Sequence, residues 1–318
     1  MSAEQFSIEG KRIWVAGHRG LVGSAVVRRL ESEPVGELIT ATSAEVDLRN
    51  QAATNDHVRQ TRPDVVIMAA AKVGGIHANR SAQGEFLYDN LMIASNTVEA
   101  ARVHGAERFV NLGSSCIYPR EAPQPMSEDA LLTGPLETTN EGYAIAKIAA
   151  LELARMYRRQ YGFDAISLMP TNLYGPNDNF DLETSHVLPA LMRKIHEAKV
   201  DGDSSVTLWG TGTPRREFLH VDDLADATVF ALKHYHGEEH VNVGTGVDVS
   251  ISELAQMISK TVGYDGDFIY DTAKPDGAPR KLLDVTSMTR LGWSADIKLE
   301  DGIQSTYDWY LNNEVVRR

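Results

Sequence analysis

The sequence predicts an α/β protein: a Rossmann-type, doubly wound parallel sheet with a smaller C-terminal α/β substrate domain. Three observations carry that expectation. Short apolar strands alternate with long helical segments, a glycine-rich turn joins the first strand to the first helix, and the alternation gives way to irregular texture after Pro170. Strands alternating with helices of this length are the pattern of parallel βαβ units.

Each element is readable in turn. Arg12–Ala16 is a short buried strand, Gly17–Gly23 a glycine turn, and Ser24–Glu31 the helix that continues from it. Glu37–Ala41 reads as the second strand and Gln51–Gln60 as a helix; Pro63 breaks the chain before the strand Asp64–Ala69. Phe86–His104 is a long helix followed by the strand Arg108–Leu112, and Tyr143–Tyr161 another followed by Ala165–Met169. Unbroken apolar runs such as Val65-Val66-Ile67-Met68 suit strands covered on both faces.

Beyond Pro170, Asn172–Pro176 reads as a turn and Thr184–Lys199 carries a helix. Val206–Trp209 and Phe218–His220 are short strands, and Val221–His234 is a helix able to return to the sheet. The tail from Ser250 holds a helix, a strand near Phe268, a Pro/Gly loop at Lys274–Arg280 and a final helix. The length of 318 residues leaves room for about two domains. Residues 1–175 plus about 213–248 are expected to bind a dinucleotide, and 176–212 plus 249–318 the substrate.

Composition excludes several classes. A formal net charge of -13 opposes sequence-independent binding to nucleic acid, which needs a basic surface. A single cysteine, Cys116, allows no intrachain disulfide, which fits a reducing compartment. No apolar run is long enough to span a bilayer, and Met1–Gly10 lacks the apolar core of a signal peptide; a cytoplasmic protein is expected. His186 and His196 lack a companion ligand motif, so no metal is expected.

The turn Gly17-His18-Arg19-Gly20-Leu21-Val22-Gly23 follows a strand and opens a helix. In that context the first glycine makes the turn, the second lets backbone approach a pyrophosphate, and the third lets helix pack on strand. The helix N-terminus favours the anion. An Asp or Glu ending the second strand would hold an NAD ribose, but Thr40-Ala41-Thr42-Ser43 holds none. Arg19, inside the turn, either meets a 2′-phosphate or is simply solvated; the first reading favours NADPH.

Tyr143 and Lys147 are four residues apart on a helix and so share a face. An ammonium beside a phenol favours the phenolate and is expected to lower the phenol's pKa from about 10. Such a pair exchanges protons with a carbonyl or alcohol oxygen. Ser114 or Ser115, at the end of the fourth strand, can hydrogen-bond the same oxygen. Together with the glycine turn, this set resembles the extended branch of the short-chain dehydrogenase/reductases, whose C-terminal domains bind nucleotide sugars.

Further strings narrow the resemblance. They include Ala70-Ala71-Lys72-Val73-Gly74-Gly75, Gly113-Ser114-Ser115-Cys116-Ile117-Tyr118-Pro119 and Pro170-Thr171-Asn172-Leu173-Tyr174-Gly175-Pro176. Ser185-His186-Val187, Trp209-Gly210-Thr211-Gly212, Arg216-Glu217-Phe218, Pro275-Asp276-Gly277 and Arg280-Lys281 complete them. In order and over nearly the whole chain, they resemble the GDP-L-fucose synthase family. That resemblance implies 3,5-epimerisation of GDP-4-keto-6-deoxy-D-mannose and then NADPH-dependent reduction of its C4 ketone. It makes Cys116 the base and His186 the acid of the epimerisation, with Ser114, Tyr143 and Lys147 serving the ketone oxygen.

The resemblance also places cofactor contacts at Asp47, Leu48, Leu112, Gly113, Lys147, Pro170, Thr171, Asn172, Leu173 and His186, besides the turn Gly17–Gly23. It places substrate contacts at Lys194, Trp209, Arg216 and Lys281. Where relatives carry a second arginine after the Ser-His-Val string this chain has Lys194, which keeps the charge and loses the planar fork. Ser43 stands where a bacterial relative has arginine. The resemblance implies a homodimer through the long helices at Phe86–His104 and Tyr143–Tyr161, whose alanine and leucine stripes suit packing against the sheet equally well.

Rival readings make definite expectations. From its residue type alone, Cys116 is a small buried hydrophobe as readily as a base, and His186 a helix cap as readily as an acid. A 4,6-dehydratase would carry an acidic pair where Cys116-Ile117 stands. A 4-epimerase would hold NAD tightly and need no Cys/His pair. A non-catalytic NADP sensor would tend to lack the Tyr/Lys pair.

Overall fold

Six parallel strands, apolar on both faces, form the centre of the protein. The structure is a computed structural model and describes residues 5–274 and 276–313. Pro275, from the Pro275-Asp276-Gly277 string, and the outermost ends of the two expected domain ranges lie outside the described residues.

In chain order the first part comprises β1 (Arg12–Ala16), α1 (Leu21–Leu30), β2 (Glu37–Ile39), α2 (Gln51–Thr61), β3 (Val65–Met68) and α3 (Ile76–Ser81). There follow α4 (Gln83–Val103), β4 (Arg108–Leu112), α5 (Glu141–Tyr161), β5 (Asp164–Pro170), β6 (Asn172–Tyr174), α6 (Val187–Asp201) and β7 (Ser205–Trp209). The remainder is β8 (Arg215–His220), α7 (Val221–His234), β9 (Val241–Val243), β10 (Asp248–Ser250), α8 (Ile251–Val262), β11 (Asp267–Asp271), β12 (Arg280–Lys281), α9 (Thr286–Leu291) and α10 (Leu299–Asn312).

The main sheet runs β2-β1-β3-β4-β5-β9, with every pairing parallel. Successive side chains point to opposite faces of a strand. Ile13, Val15, Val65, Ile67, Val110, Leu112, Ile166 and Leu168 pack with α1 and α7. Trp14, Ala16, Val66, Met68, Phe109 and Ala165 pack with the small side chains Ala94, Ala101, Ala150 and Ala154 of α4 and α5. Each large aliphatic buried this way contributes about 1.5–3 kcal/mol, which is why the sequence shows apolar runs rather than alternation. The chain order reverses between β1 and β3, and a crevice at the carboxyl ends of the strands follows from that reversal.

A second core gathers Leu191, Met192 and Ile195 of α6, Leu254 and Ile258 of α8, Ile303 and Tyr310 of α10, and Val206 and Leu208 of β7. β7 pairs with β11. Between the two cores, β8 pairs with β10, β12 and β6. No helix among the described residues is long and apolar enough to cross a membrane.

Several expected boundaries move, each for a local reason. α1 begins at Leu21, not Ser24, because Gly20 already serves as N-cap. The expected turn at Asn172–Pro176 starts as β6, whose residues pair in register with Phe218, Leu219 and His220. α6 begins at Val187, not Thr184. The Asp181 carboxylate accepts the amides of Glu183 at 3.1 Å and Thr184 at 2.9 Å, holding a turn ahead of the helix. The loop expected at Lys274–Arg280 ends in β12, where Lys281 pairs with Arg216. The short elements α3, β9, β10 and α9 were not anticipated from the sequence.

Candidate active site

The crevice begins at the glycine turn after β1. Gly17 has a φ of +87°, and a Cβ there would lie 2.7 Å from the backbone of Ala70 after β3. At Gly23 a Cβ would lie 2.1 Å from the Gly17 carbonyl oxygen, so helix and turn pack without a side chain between them. Gly20 differs: its Cβ would meet only the Gly17 carbonyl at 3.6 Å, an ordinary contact. Nothing inside the fold requires glycine there. A methyl added at Gly20 would face outward, where a pyrophosphate on the helix N-terminus would come close.

Helix α1 has no side-chain cap and no acid in its first turn, leaving its amides for an anion. His18 Nδ1 is buried with no partner among the described residues. Leu21 and Val22 anchor the turn by packing into the sheet core. Arg19 is exposed, as is Ser43 beyond β2. The Glu45 carboxylate is taken up by the Thr42 amide at 2.7 Å and hydroxyl at 2.8 Å. The residues present therefore fit a dinucleotide.

The other expected cofactor residues line the same strand ends. Asp47 pairs with Arg49, and the Leu48 carbonyl accepts from Asn96 at 2.9 Å. Gly113 donates to the Leu168 carbonyl at 2.8 Å. Pro170 ends β5, and the Thr171 amide donates to the Val243 carbonyl at 3.1 Å. Asn172 Nδ2 donates to the Glu217 carbonyl at 2.8 Å, and Leu173 pairs with Leu219.

Past β4 the chain makes a 3-10 turn, Ser115–Ile117. Ser114 caps it, its Oγ accepting from the Cys116 amide at 3.3 Å; Ser115 is buried, so Ser114 is the better placed of the two serines. Tyr143 and Lys147 lie in the first two turns of α5. Lys147 is buried and its Nζ donates to the Leu112 carbonyl at 2.8 Å. The same Nζ is 5.7 Å from the centre of the Tyr143 ring.

The electrostatics correct one expectation. Burial pushes the Tyr143 phenol up, and the adjacent Cys116 adds to the effect. Burial also pushes the Lys147 ammonium down to about 8, against the pull of Cys116. Desolvation thus outweighs the expected lowering of the phenol by Lys147. The Cys116 thiol too is raised by burial, opposed by Ser114 and by the charges of Lys281 and Lys147. Two proton donors, a thiol and a phenol, therefore stand among desolvated cations.

Lys281 and Arg216 sit side by side on β12 and β8. Burial lowers both, with Cys116 opposing the shift at Lys281 and Asp276 that at Arg216. Fully buried Glu217 fixes this pair from behind. It accepts the amides of Thr245 and Gly246, each at 2.7 Å, and of Leu283 at 2.9 Å. Burial nonetheless pushes its carboxyl up. Trp209, at the end of β7, is 65 % exposed, with Lys194 Nζ 5.4 Å from its ring centre.

His186 is the N-cap residue of α6, yet its side chain makes no capping bond. The cap reading therefore fails for its ring. The ring is open to solvent, but protein surrounds it closely enough that burial lowers its pKa. The segment ahead of His186 is tied to the loop after β3, which leads toward Tyr143. The Gly75 amide donates to the Thr184 carbonyl at 2.7 Å. A Cβ on Gly74 would lie 3.2 Å from Phe86, whose ring meets Tyr143 edge-on at 6.5 Å. The sequence shows Gly75 only within the Ala70–Gly75 string, and it does not announce Asn79, which bonds the Gly74 and Gly75 carbonyls, or Lys274, whose partner Trp209 lies in another segment.

The comparisons agree with this geometry. The model of the NAD dependent epimerase/dehydratase family matches residues 13–244. GDP-L-fucose synthase 1 of Arabidopsis thaliana is 56 % identical over 307 residues, covering 96 % of this chain and 95 % of that protein. The GDP-L-fucose synthase of Escherichia coli is 51 % identical over 313 residues, covering 96 % and 98 %. A GDP-L-fucose synthetase from Naegleria fowleri, solved bound to NADP, superposes with a TM-score of 0.92 at 30 % identity, covering 100 % of this chain and 99 % of that one. A glycine turn shaped for a dinucleotide, a Ser/Tyr/Lys set at the strand ends and near-full-length identity above one half together settle the kinship: the chain belongs to the NAD dependent epimerase/dehydratase family and, within it, to the GDP-L-fucose synthases.

Proposed function

We propose that this enzyme converts GDP-4-keto-6-deoxy-D-mannose to GDP-L-fucose, inverting C3 and C5 and then reducing the C4 ketone with NADPH. The observation that carries this reading is one buried cluster holding a thiol, a phenol and two depressed lysines: Cys116, Tyr143, Lys147 and Lys281. A reductase alone needs the phenol; the thiol beside it serves a second proton transfer.

In this reading the C4 ketone acidifies the hydrogens on C3 and C5. Cys116, as thiolate, removes each one, and His186 returns a proton on the opposite face. Lys281 and Lys147 favour the thiolate against burial. Ser114 and Tyr143 hydrogen-bond the enolate oxygen that forms at C4. NADPH, when bound at Gly17–Gly23 and the strand ends, supplies hydride to C4. Tyr143 then gives its proton to the C4 oxygen, and Lys147 stabilises the phenolate left behind. Arg216 and Lys281 hold the diphosphate, with Lys194 and Trp209 further out.

The division of labour follows the two cores: residues 1–175 with about 213–248 hold the cofactor, and 176–212 with 249–318 the nucleotide sugar. The working unit in this proposal is a cytoplasmic homodimer. Tyr88 on α4 and Ile145, Met156 and Tyr161 on α5 are exposed apolar side chains that a second copy would cover. The test of activity is NADPH oxidation with a panel of keto-sugar nucleotides. Oxidation with GDP-4-keto-6-deoxymannose is expected; no absorbance loss with it at any pH would refute the reading.

A further inference from the structure

Trp209 draws two ammoniums, not one. Lys194 Nζ and Lys274 Nζ each lie 5.4 Å from its ring centre. Lys194 belongs to α6 and Lys274 to the loop after β11, so no local geometry forces them together. Neither forms an ion pair with any described residue, in a chain with 44 acidic against 31 basic residues. A cation–π contact accounts for one lysine on an exposed indole. The carboxylates nearby are taken up elsewhere, Asp276 by Thr211 and Asp271 by the Ala273 amide, so the two ammoniums remain free for an anion.

The loop that carries Lys274 is tied in place. The Gly210 amide donates to the Asp271 carbonyl at 3.0 Å. The Asp276 carboxylate accepts the Thr211 amide at 2.9 Å and its hydroxyl at 2.8 Å. Gly210 has a φ of +76°, and a Cβ there would lie 2.1 Å from Asp276 Oδ1. At Gly277 a Cβ would lie 2.9 Å from Arg216 Nη2. The loop therefore spans from Trp209 to Arg216, and a cationic stripe leads outward from Cys116 through Lys281 and Arg216 to Lys194 and Lys274.

We propose that Lys274 is a further substrate-binding residue that, with Lys194, holds the nucleoside-side phosphate of the diphosphate, outward of the oxygens held by Arg216 and Lys281. The proposal rests on the nucleotide-sugar reading of the site. A lysine offers only donors, as a compact point charge, which matches phosphate oxygens.

Titration calorimetry on the full chain with GDP, guanosine and NADP+ tests it. Lys274→Gln is expected to weaken GDP about tenfold, in line with loss of one charge-assisted contact, and to leave guanosine and NADP+ unchanged. Lys274→Arg, which keeps the charge, is expected to retain most of the GDP affinity. Unchanged GDP affinity in Lys274→Gln overturns the proposal, and so does an equal loss for guanosine, which would assign Lys274 to the base. A parent protein that binds no GDP would instead overturn the nucleotide-sugar reading itself.

Discussion

The amide of Gly75 hydrogen-bonds the carbonyl of Thr184 at 2.7 Å, two residues before His186. A Cβ on Gly75 would lie 2.5 Å from the Ser185 carbonyl oxygen, closer than real contacts allow. Asn79 braces the turn, its Nδ2 donating to the Gly74 carbonyl at 2.6 Å and the Gly75 carbonyl at 3.1 Å. Gly75→Ala should therefore displace the backbone carrying His186 while sparing Cys116, Tyr143 and Lys147. Misplacement of about 1 Å costs on the order of 100-fold. Solvent deuterium incorporation at C3 and C5 is expected to fall by about that factor. NADPH oxidation with an already epimerised 4-keto sugar should stay near the parent's rate. Equal losses in both assays would show a general defect and remove the positioning role.

Cys116 and Tyr143 share a pocket but are assigned different protons. Cys116→Ser should suppress deuterium incorporation at C3 and C5 more strongly than Tyr143→Phe does, by roughly the 10²–10⁴ typical of a lost acid or base. Tyr143→Phe should in turn abolish reduction. Unchanged incorporation in Cys116→Ser would take Cys116 out of the mechanism.

The two half-reactions should respond to pH in opposite directions. Burial holds Cys116 protonated beyond the usual thiol range, so proton removal from C3 and C5, read as solvent deuterium incorporation, should rise with pH through and above about 8.5. Lys147 loses its charge near pH 8, so reduction of an already epimerised substrate should decline as pH rises through that value. Two profiles that rise together would contradict the assignment of thiol and ammonium to separate steps.

How much of this was legible in the sequence depended on the range of the interaction. The strands of the main sheet were readable because burial on both faces makes runs such as Val65–Met68 apolar throughout. Tyr143 and Lys147 were readable because helical spacing is local. β6 was not: three residues pair only because β8 arrives from a distant segment. The direction of the Tyr143 shift was misjudged for the same reason. A neighbouring charge four residues away is visible in the string, whereas the depth of burial is a property of the folded crevice. Lys274 shows no spacing that would announce its meeting with Trp209.

Asp178 is a buried acid that the proposed chemistry does not use. It is 8 % exposed, its Oδ2 has no partner among the described residues, and burial raises its pKa to about 7. The unfolded value is near 3.9, so the folded state binds the proton more tightly. Its contribution to stability is complete below about pH 4 and is lost as pH rises toward 7. Asp178→Asn should therefore raise the Tm at pH 8, by about 2–6 °C for a gain of roughly 1–2 kcal/mol. The gain should vanish at pH 4. Thermal unfolding followed by circular dichroism at both values decides it; an equal gain at both would mean that the charge is not the cause.

Gly20 and Gly23 separate a requirement of the ligand from a requirement of the fold. At Gly23 a Cβ would lie 2.1 Å from the Gly17 carbonyl oxygen, so Gly23→Ala should disrupt the turn and lower stability outright. At Gly20 the backbone is extended, with φ -77° and ψ 171°, and the added methyl finds ordinary contact at 3.6 Å. Gly20→Ala should leave stability within about 0.5 kcal/mol of the parent. The methyl would nevertheless stand between the α1 amides and the pyrophosphate they are expected to hold. The KM for NADPH should rise at least about tenfold, a loss of one good anion contact, while GDP binding is unaffected. A Gly20→Ala protein that keeps both its Tm and its NADPH affinity would show that the turn does not hold the diphosphate, and the cofactor would have to be placed elsewhere along the strand ends.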